Sequence, residues 1–152
     1  MKPTLFLRIA SVLTLIHAVL HTVGGVFGKP DPRAQAVVQV MKANEFLVMG
    51  AMRSYWSFYR GMGLAVSVAL TAEAIVFWQL GSLAKRDGAG IRPVLVTFML
   101  GYLCLAVVSS RYFFAAPVIV EALIAACLGV AIVTAKQWAG GGSRQALKEK
   151  VS

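Results

Sequence analysis

The sequence predicts an all-α, polytopic membrane fold, an antiparallel bundle of four transmembrane helices, and three observations predict it. Of 152 residues, 59% are hydrophobic and only 14% charged, far from the balance of a soluble domain. Four apolar runs each approach the roughly 20 residues needed to cross a bilayer. Lys and Arg mostly bracket those runs, so the net charge of +9 reads as contact with anionic lipid and a device for orientation, not as a nucleic-acid surface.

The first span covers about 4–27. Lys2 and Arg8 before an apolar stretch also fit a secretory signal peptide, but no small-residue cleavage site follows and the run exceeds a normal h-region, so a retained span is expected. The other spans fall at about 61–80, 93–109 and 114–135, the second beginning as early as Ser54. Together they define a transmembrane domain over 1–139. The remainder, 140–152, carries Gly140, Gly141, Gly142 and Ser143 and then Arg144, Lys148 and Lys150, and reads as a flexible basic cytoplasmic tail.

Alternate loops differ in basic residues. Lys2, Arg8, Lys85, Arg86, Arg92, Lys136, Arg144, Lys148 and Lys150 collect on one side, close to span ends. Lys29, Arg33, Lys42, Arg53, Arg60 and Arg111 collect on the other, mostly spread through one long loop. From this asymmetry both termini are expected to be cytoplasmic.

Within the long loop, Asp31 before Pro32 is a helix start, with the carboxylate as N-cap and Pro at the first helical position. An external amphipathic helix is expected there, with Val37, Val40, Met41, Phe46, Leu47 and Met49 on its apolar side and Arg33, Gln39, Lys42 and Asn44 on its polar side. It lies on the membrane or caps the bundle mouth. Arg53, Tyr55, Trp56, Phe58, Tyr59 and Arg60 then return the chain to the membrane as an interfacial anchor. Glu45, Arg53, Tyr55, Tyr59 and Arg111 are candidate residues of a pocket mouth.

His17 and His21 are the only histidines and share one face of the first span at a spacing of four. Each span carries one small or polar stripe: Ala10, Thr14, His17, His21 and Gly24; Ala65, Ala69 and Glu73; Thr97, Gly101, Cys104 and Arg111; Pro117, Glu121, Ala125 and Gly129. Close helix packing in lipid accounts for small residues, but ionisable groups at this depth are costly and point to a site. At a rise of about 1.5 Å per residue, His17 and Glu73 fall within roughly 5 Å of mid-membrane and Glu121 slightly nearer the outer face. Interhelical pairing of His17 with Glu73, or His21 with Glu121, is one reading; a buried pocket that does chemistry or binds a ligand is the other. In either case His17 and at least one of Glu73 and Glu121 are expected to face the interior within reach of a direct or water-bridged hydrogen bond.

No P-loop, zinc motif, nucleophile elbow or repeat occurs, and Cys104 and Cys127 form no CxxC. They read as packing residues.

The span pattern, with LRIASVLTLIHAVLHTVGGVFG near the start, RSYWSFYRGMGL before the second span and SSRYFFAAPVIVEALIAACLG leading into the fourth, resembles a family of small, uncharacterised four-span bacterial membrane proteins. The resemblance covers the chain up to its tail and implies the topology but no particular activity. A more general architectural similarity links the chain to DoxX-like proteins and to the EXPERA group of sterol isomerases and sterol-binding proteins. Some EXPERA members use intramembrane His and acidic residues around an apolar ligand, and only the constellation of His17, His21, Glu73 and Glu121 is similar here.

Three functions follow from these residues. The first is a polar intramembrane pocket for a membrane lipid or another hydrophobic small molecule, supporting proton transfer between Glu73 and Glu121 tuned by His17 and His21, with no cofactor. The second is a metal- or haem-binding redox protein, in which His17 and His21 with Glu73 or Glu121 complete a metal shell; no CxxCH haem attachment motif exists. The third is a proton-coupled transporter, which with four spans needs a homo-oligomer to line a path, or an accessory subunit.

Overall fold

The computed structural model describes the backbone from Lys2 to Val151 and the side-chain surroundings of residues up to Ala135. The tail expected at 140–152 lies outside the residues described in full. The fold is all-α and polytopic: Pro3–Val26, Tyr55–Leu83, Arg92–Tyr112 and Ala115–Ala135 are each long and apolar enough to cross a membrane. At about 1.5 Å per residue a 21-residue helix is close to the 30 Å thickness of a hydrocarbon core. Large apolar side chains such as Val19, Val68, Leu100 and Val133 stay exposed, which water would penalise and lipid does not.

Helix α1 (Pro3–Leu20) continues without a break into a π-helical segment, His21–Val26. The wider turn shows in the Phe27 N–H, which bonds to Thr22 O five residues back at 3.0 Å. Asp31 caps the next turn as expected: its Oδ1 accepts from the Arg33 N–H at 2.8 Å, with Pro32 opening a short 3-10 turn that leads into α2 (Gln35–Ala43).

The external helix is shorter than the sequence suggests. It stops at Ala43, and Phe46, Leu47 and Met49 belong to a hairpin of β1 (Glu45–Val48) and β2 (Ala51–Ser54), paired antiparallel with Glu45 opposite Ser54 and Val48 opposite Ala51. The physical reason lies in Met49 and Gly50, whose φ values of 47° and 84° form the left-handed two-residue turn that closes a tight hairpin. Asn44 ends the helix, its side-chain amide donating to Val40 O at 2.7 Å.

The second span is a 29-residue helix, α3 (Tyr55–Leu83). At about 43 Å it exceeds a bilayer core, so its first turns, with Trp56 and Tyr59 stacked at 5.5 Å, suit the headgroup level expected of the anchor. Helices α4 (Arg92–Tyr112) and α5 (Ala115–Val151) are joined by only Phe113 and Phe114 and pack along each other as an antiparallel pair.

The chain divides into two compact units, Ile16–Thr71 and the combination of Met1–Leu15 with Ala72–Ser152. The larger unit has the continuous core: Leu7 and Ala10 from α1, Phe77 from α3, Leu95 and Tyr102 from α4, and Ile124, Ala125, Leu128 and Ala131 from α5. Phe77 anchors it, edge-on to Phe98 at 5.0 Å. Cys127 packs against this core, whereas Cys104 is exposed and the expected packing role applies to Cys127 alone.

Candidate functional site

Helix α4 carries Leu95, Tyr102 and Ser109 at a seven-residue repeat, and these are its buried residues. The repeat turns the Tyr102 phenol and the Ser109 hydroxyl onto one face, two turns apart, about 10 Å along the axis. Each binds one of the two intramembrane acids. The Tyr102 hydroxyl donates to Glu73 Oε2 of α3 at 2.6 Å, and the Ser109 hydroxyl donates to Glu121 Oε1 of α5 at 2.9 Å. Glu73 and Glu121 are thus organised by the same face of α4, inside one unit, at different depths.

Around Tyr102 the polar set continues onto α1. Thr14 is fully buried and its hydroxyl lies 3.4 Å from the Tyr102 oxygen, while donating to Ala10 O at 2.9 Å. With the Tyr102 proton directed to Glu73, only Thr14 can donate across the 3.4 Å contact, at the expense of its bond to Ala10 O. Ser11, one turn away, donates to Ala74 O at 2.7 Å. These bonds fix α1 against α3 beside Glu73 without placing a further charge there.

Glu121 is 5% exposed, and only one of its oxygens is bonded. Oε2 is buried with no partner among the described residues. A carboxyl group with one oxygen held and the other unsatisfied in an apolar interior is an arrangement that a ligand's polar atom would complete.

The histidines belong to the smaller unit. His21 Nε2 lies 3.1 Å from Gly63 O; because a carbonyl only accepts, Nε2 carries the proton. Next to it Thr22 donates to Ser67 Oγ at 2.8 Å, and Ser67 reaches Gly63 O at 3.1 Å. Gly63 permits this approach: a Cβ there would meet Val26 Cγ2 at 2.9 Å. His17 is half-buried, and its Nδ1 is buried without a partner among the described residues. His21 therefore has a backbone carbonyl, not a carboxylate, on Nε2.

Among the described residues, no group of three His, Cys, Asp or Glu gathers as a metal site would require. The expected mouth residues are dispersed: Glu45 and Arg53 are exposed on the hairpin, where Arg53 donates to its neighbour Met52 O; Tyr55 and Tyr59 are exposed at the start of α3; Arg111 is exposed near the end of α4. Two open clefts lie at other places. One of about 360 Å³ is lined by Ser110, Phe113, Phe114, Val118 and neighbours, and one of about 460 Å³ by Lys2, Thr4, Arg8, Lys85 and neighbours.

Two of the four expected stripes hold and two do not. On α1, Ala10 and Thr14 are buried and the histidines half-buried, with Gly24 exposed; on α5, Glu121 and Ala125 are buried, with Pro117 and Gly129 partly so. On α3, Ala65 and Ala69 are exposed and the buried line runs through Ser67, Leu70, Ala74 and Phe77, with Glu73 at its edge. On α4, Thr97, Gly101, Cys104 and Arg111 are all exposed, which leaves Tyr102 and Ser109 as the residues missed. Small residues face lipid as readily as a neighbouring helix, so smallness does not mark the buried face. A lone phenol at mid-span, unable to stay unbonded in hydrocarbon, was the available signal. No protein-family model, no curated protein and no solved structure matches the chain.

Proposed function

We propose that this protein binds a membrane lipid or another hydrophobic small molecule through the carboxyl groups that α4 organises, and that Glu73 and Glu121 serve as proton-exchanging groups toward it. The observation that carries this reading is Glu121, whose Oε2 is buried and unsatisfied while Oε1 is fixed by Ser109. A hydroxyl, amine or carbonyl at the polar end of an apolar ligand supplies the missing partner, and the surrounding aliphatic side chains of α4 and α5 suit the rest. The Tyr102–Glu73 hydrogen bond gives the site a second carboxyl group, held by a phenol hydroxyl.

The same reading sets the protein in a bacterial inner membrane with both termini cytoplasmic, supported by the basic residues flanking 2–8, 85–92 and 136–150. It also makes the chain a member of the small four-span bacterial family it resembles.

The test is extraction and mass spectrometry of the protein purified in mild detergent. A lipid or other apolar molecule retained in a fixed ratio to protein supports the proposal, and protein that is reproducibly empty of any such molecule, yet folded, opposes it.

A further inference from the structure

We propose a second binding site, separate from the intramembrane carboxyl groups: the cleft of about 460 Å³ between the start of α1 and the end of α3 holds the phosphate of an anionic phospholipid. Lys2, Arg8 and Lys85 line it together with Pro3, Thr4, Leu5 and Ala84, and among the described residues no carboxylate does. Lys2 stands just before the first span and Lys85 just after the second, so both ammonium groups lie at a span end, where lipid phosphates lie. Arg8 is five residues into α1, about 7.5 Å deeper, and its long stem returns the guanidinium toward that level.

The guanidinium is held in place by neutral groups. Its carbon sits 3.3 Å from the centre of the Trp78 ring, and Nη2 donates to Ser82 Oγ at 3.0 Å. A carboxylate partner would cancel its charge, whereas an indole face and a hydroxyl orient it and leave the charge available. Gly81 makes the arrangement fit: a Cβ there would meet Arg8 Nε at 3.4 Å and Leu7 Cβ at 3.5 Å. Asp87, the nearest acid in sequence, is engaged with the Gly90 N–H at 2.7 Å. Three cations over an apolar floor match a phosphodiester continuing into acyl chains better than a free anion, which has no use for Pro3, Leu5 and Ala84.

Native mass spectrometry of the full chain in neutral detergent, titrated with phosphatidylglycerol, phosphatidylcholine or inorganic phosphate, tests this. Wild type should take up phosphatidylglycerol in preference to phosphatidylcholine. Lys2→Gln with Lys85→Gln, both exposed and so harmless to packing, should weaken that uptake by about 25-fold, about fivefold per charge removed. Arg8→Gln should weaken it as well, while Lys29→Gln with Arg33→Gln, basic residues of the other unit, should leave it unchanged. Equal uptake of the two lipids, or wild-type uptake of phosphatidylglycerol by both cleft variants, overturns the site. Displacement of the lipid by low millimolar inorganic phosphate overturns the phospholipid as its occupant.

Discussion

Tyr102 of α4 donates its hydroxyl proton to Glu73 of α3 at 2.6 Å, in a position where the phenol is 2% exposed. Neither residue has water to fall back on at this depth, so each depends on the other. Tyr102→Phe should lower unfolding stability by about 1–2 kcal/mol, the cost of leaving a half-buried carboxyl acceptor without its donor. Thr14→Val should cost less than about 1 kcal/mol, because the Thr14 hydroxyl mainly serves its own helix at Ala10 O. Reversible unfolding in mixed micelles, followed by circular dichroism, checks both, and an equal loss in the two variants would contradict the ordering.

Ser109 and Glu121 allow a similar comparison. Ser109→Ala removes the donor to Oε1 and leaves both carboxyl oxygens of Glu121 without a partner among the described residues, at an expected cost of about 1–2 kcal/mol. The double variant Ser109→Ala with Glu121→Leu removes both groups and should recover part of that loss, since an apolar pair needs no partners. The recovery, measured in the same unfolding assay, is the quantity to watch.

Glycines of the spans should separate sharply. A methyl group at Gly63 would press on Val26 Cγ2 at 2.9 Å, and Val26 is β-branched and stiff, so Gly63→Ala should destabilise by about 1–2 kcal/mol. Nothing lies within 4 Å of a Cβ at Gly61 or Gly101, so alanine at either should be neutral or stabilise by up to about 1 kcal/mol through helix propensity. A destabilising Gly101→Ala would show that this face of α4 meets another protein surface.

Topology is checked by labelling single cysteines at Asp31 and Asp87 in a background with Cys104 and Cys127 replaced by Ala. One span, α3, lies between these positions in the chain, so they should fall on opposite sides. Asp31→Cys should react with an impermeant maleimide on intact cells, and Asp87→Cys only after permeabilisation. Labelling of both from outside would contradict the orientation.

The spans and the Asp31 cap were legible in the sequence because each rests on local chemistry: the length of an apolar run and a carboxylate before Pro. The hairpin after Asn44 was not, since Phe46, Leu47 and Met49 continue a helical spacing and only the backbone of Met49 and Gly50 diverts it. The buried face of α4 was harder for a different reason. In water, hydrophobicity marks the inside; in lipid both faces are apolar, so Thr97, Gly101 and Cys104 looked as interior as Tyr102. Glu73 and Glu121 were found as costly charges, but their partners, a phenol and a hydroxyl, emerge from the seven-residue repeat of α4 and not from the search for a matching imidazole.

In the proposed function Glu121 serves a ligand and not merely the packing of α4 against α5. Glu121→Gln keeps the side chain's volume and an acceptor for Ser109 while removing the exchangeable acid. Unfolding stability and the amount of co-purifying apolar molecule, measured on the same preparation, separate the two roles. The expected result is stability within about 1 kcal/mol of wild type together with loss of the bound molecule. A variant that is clearly destabilised yet retains that molecule at the wild-type ratio would contradict it and leave Glu121 as a packing residue.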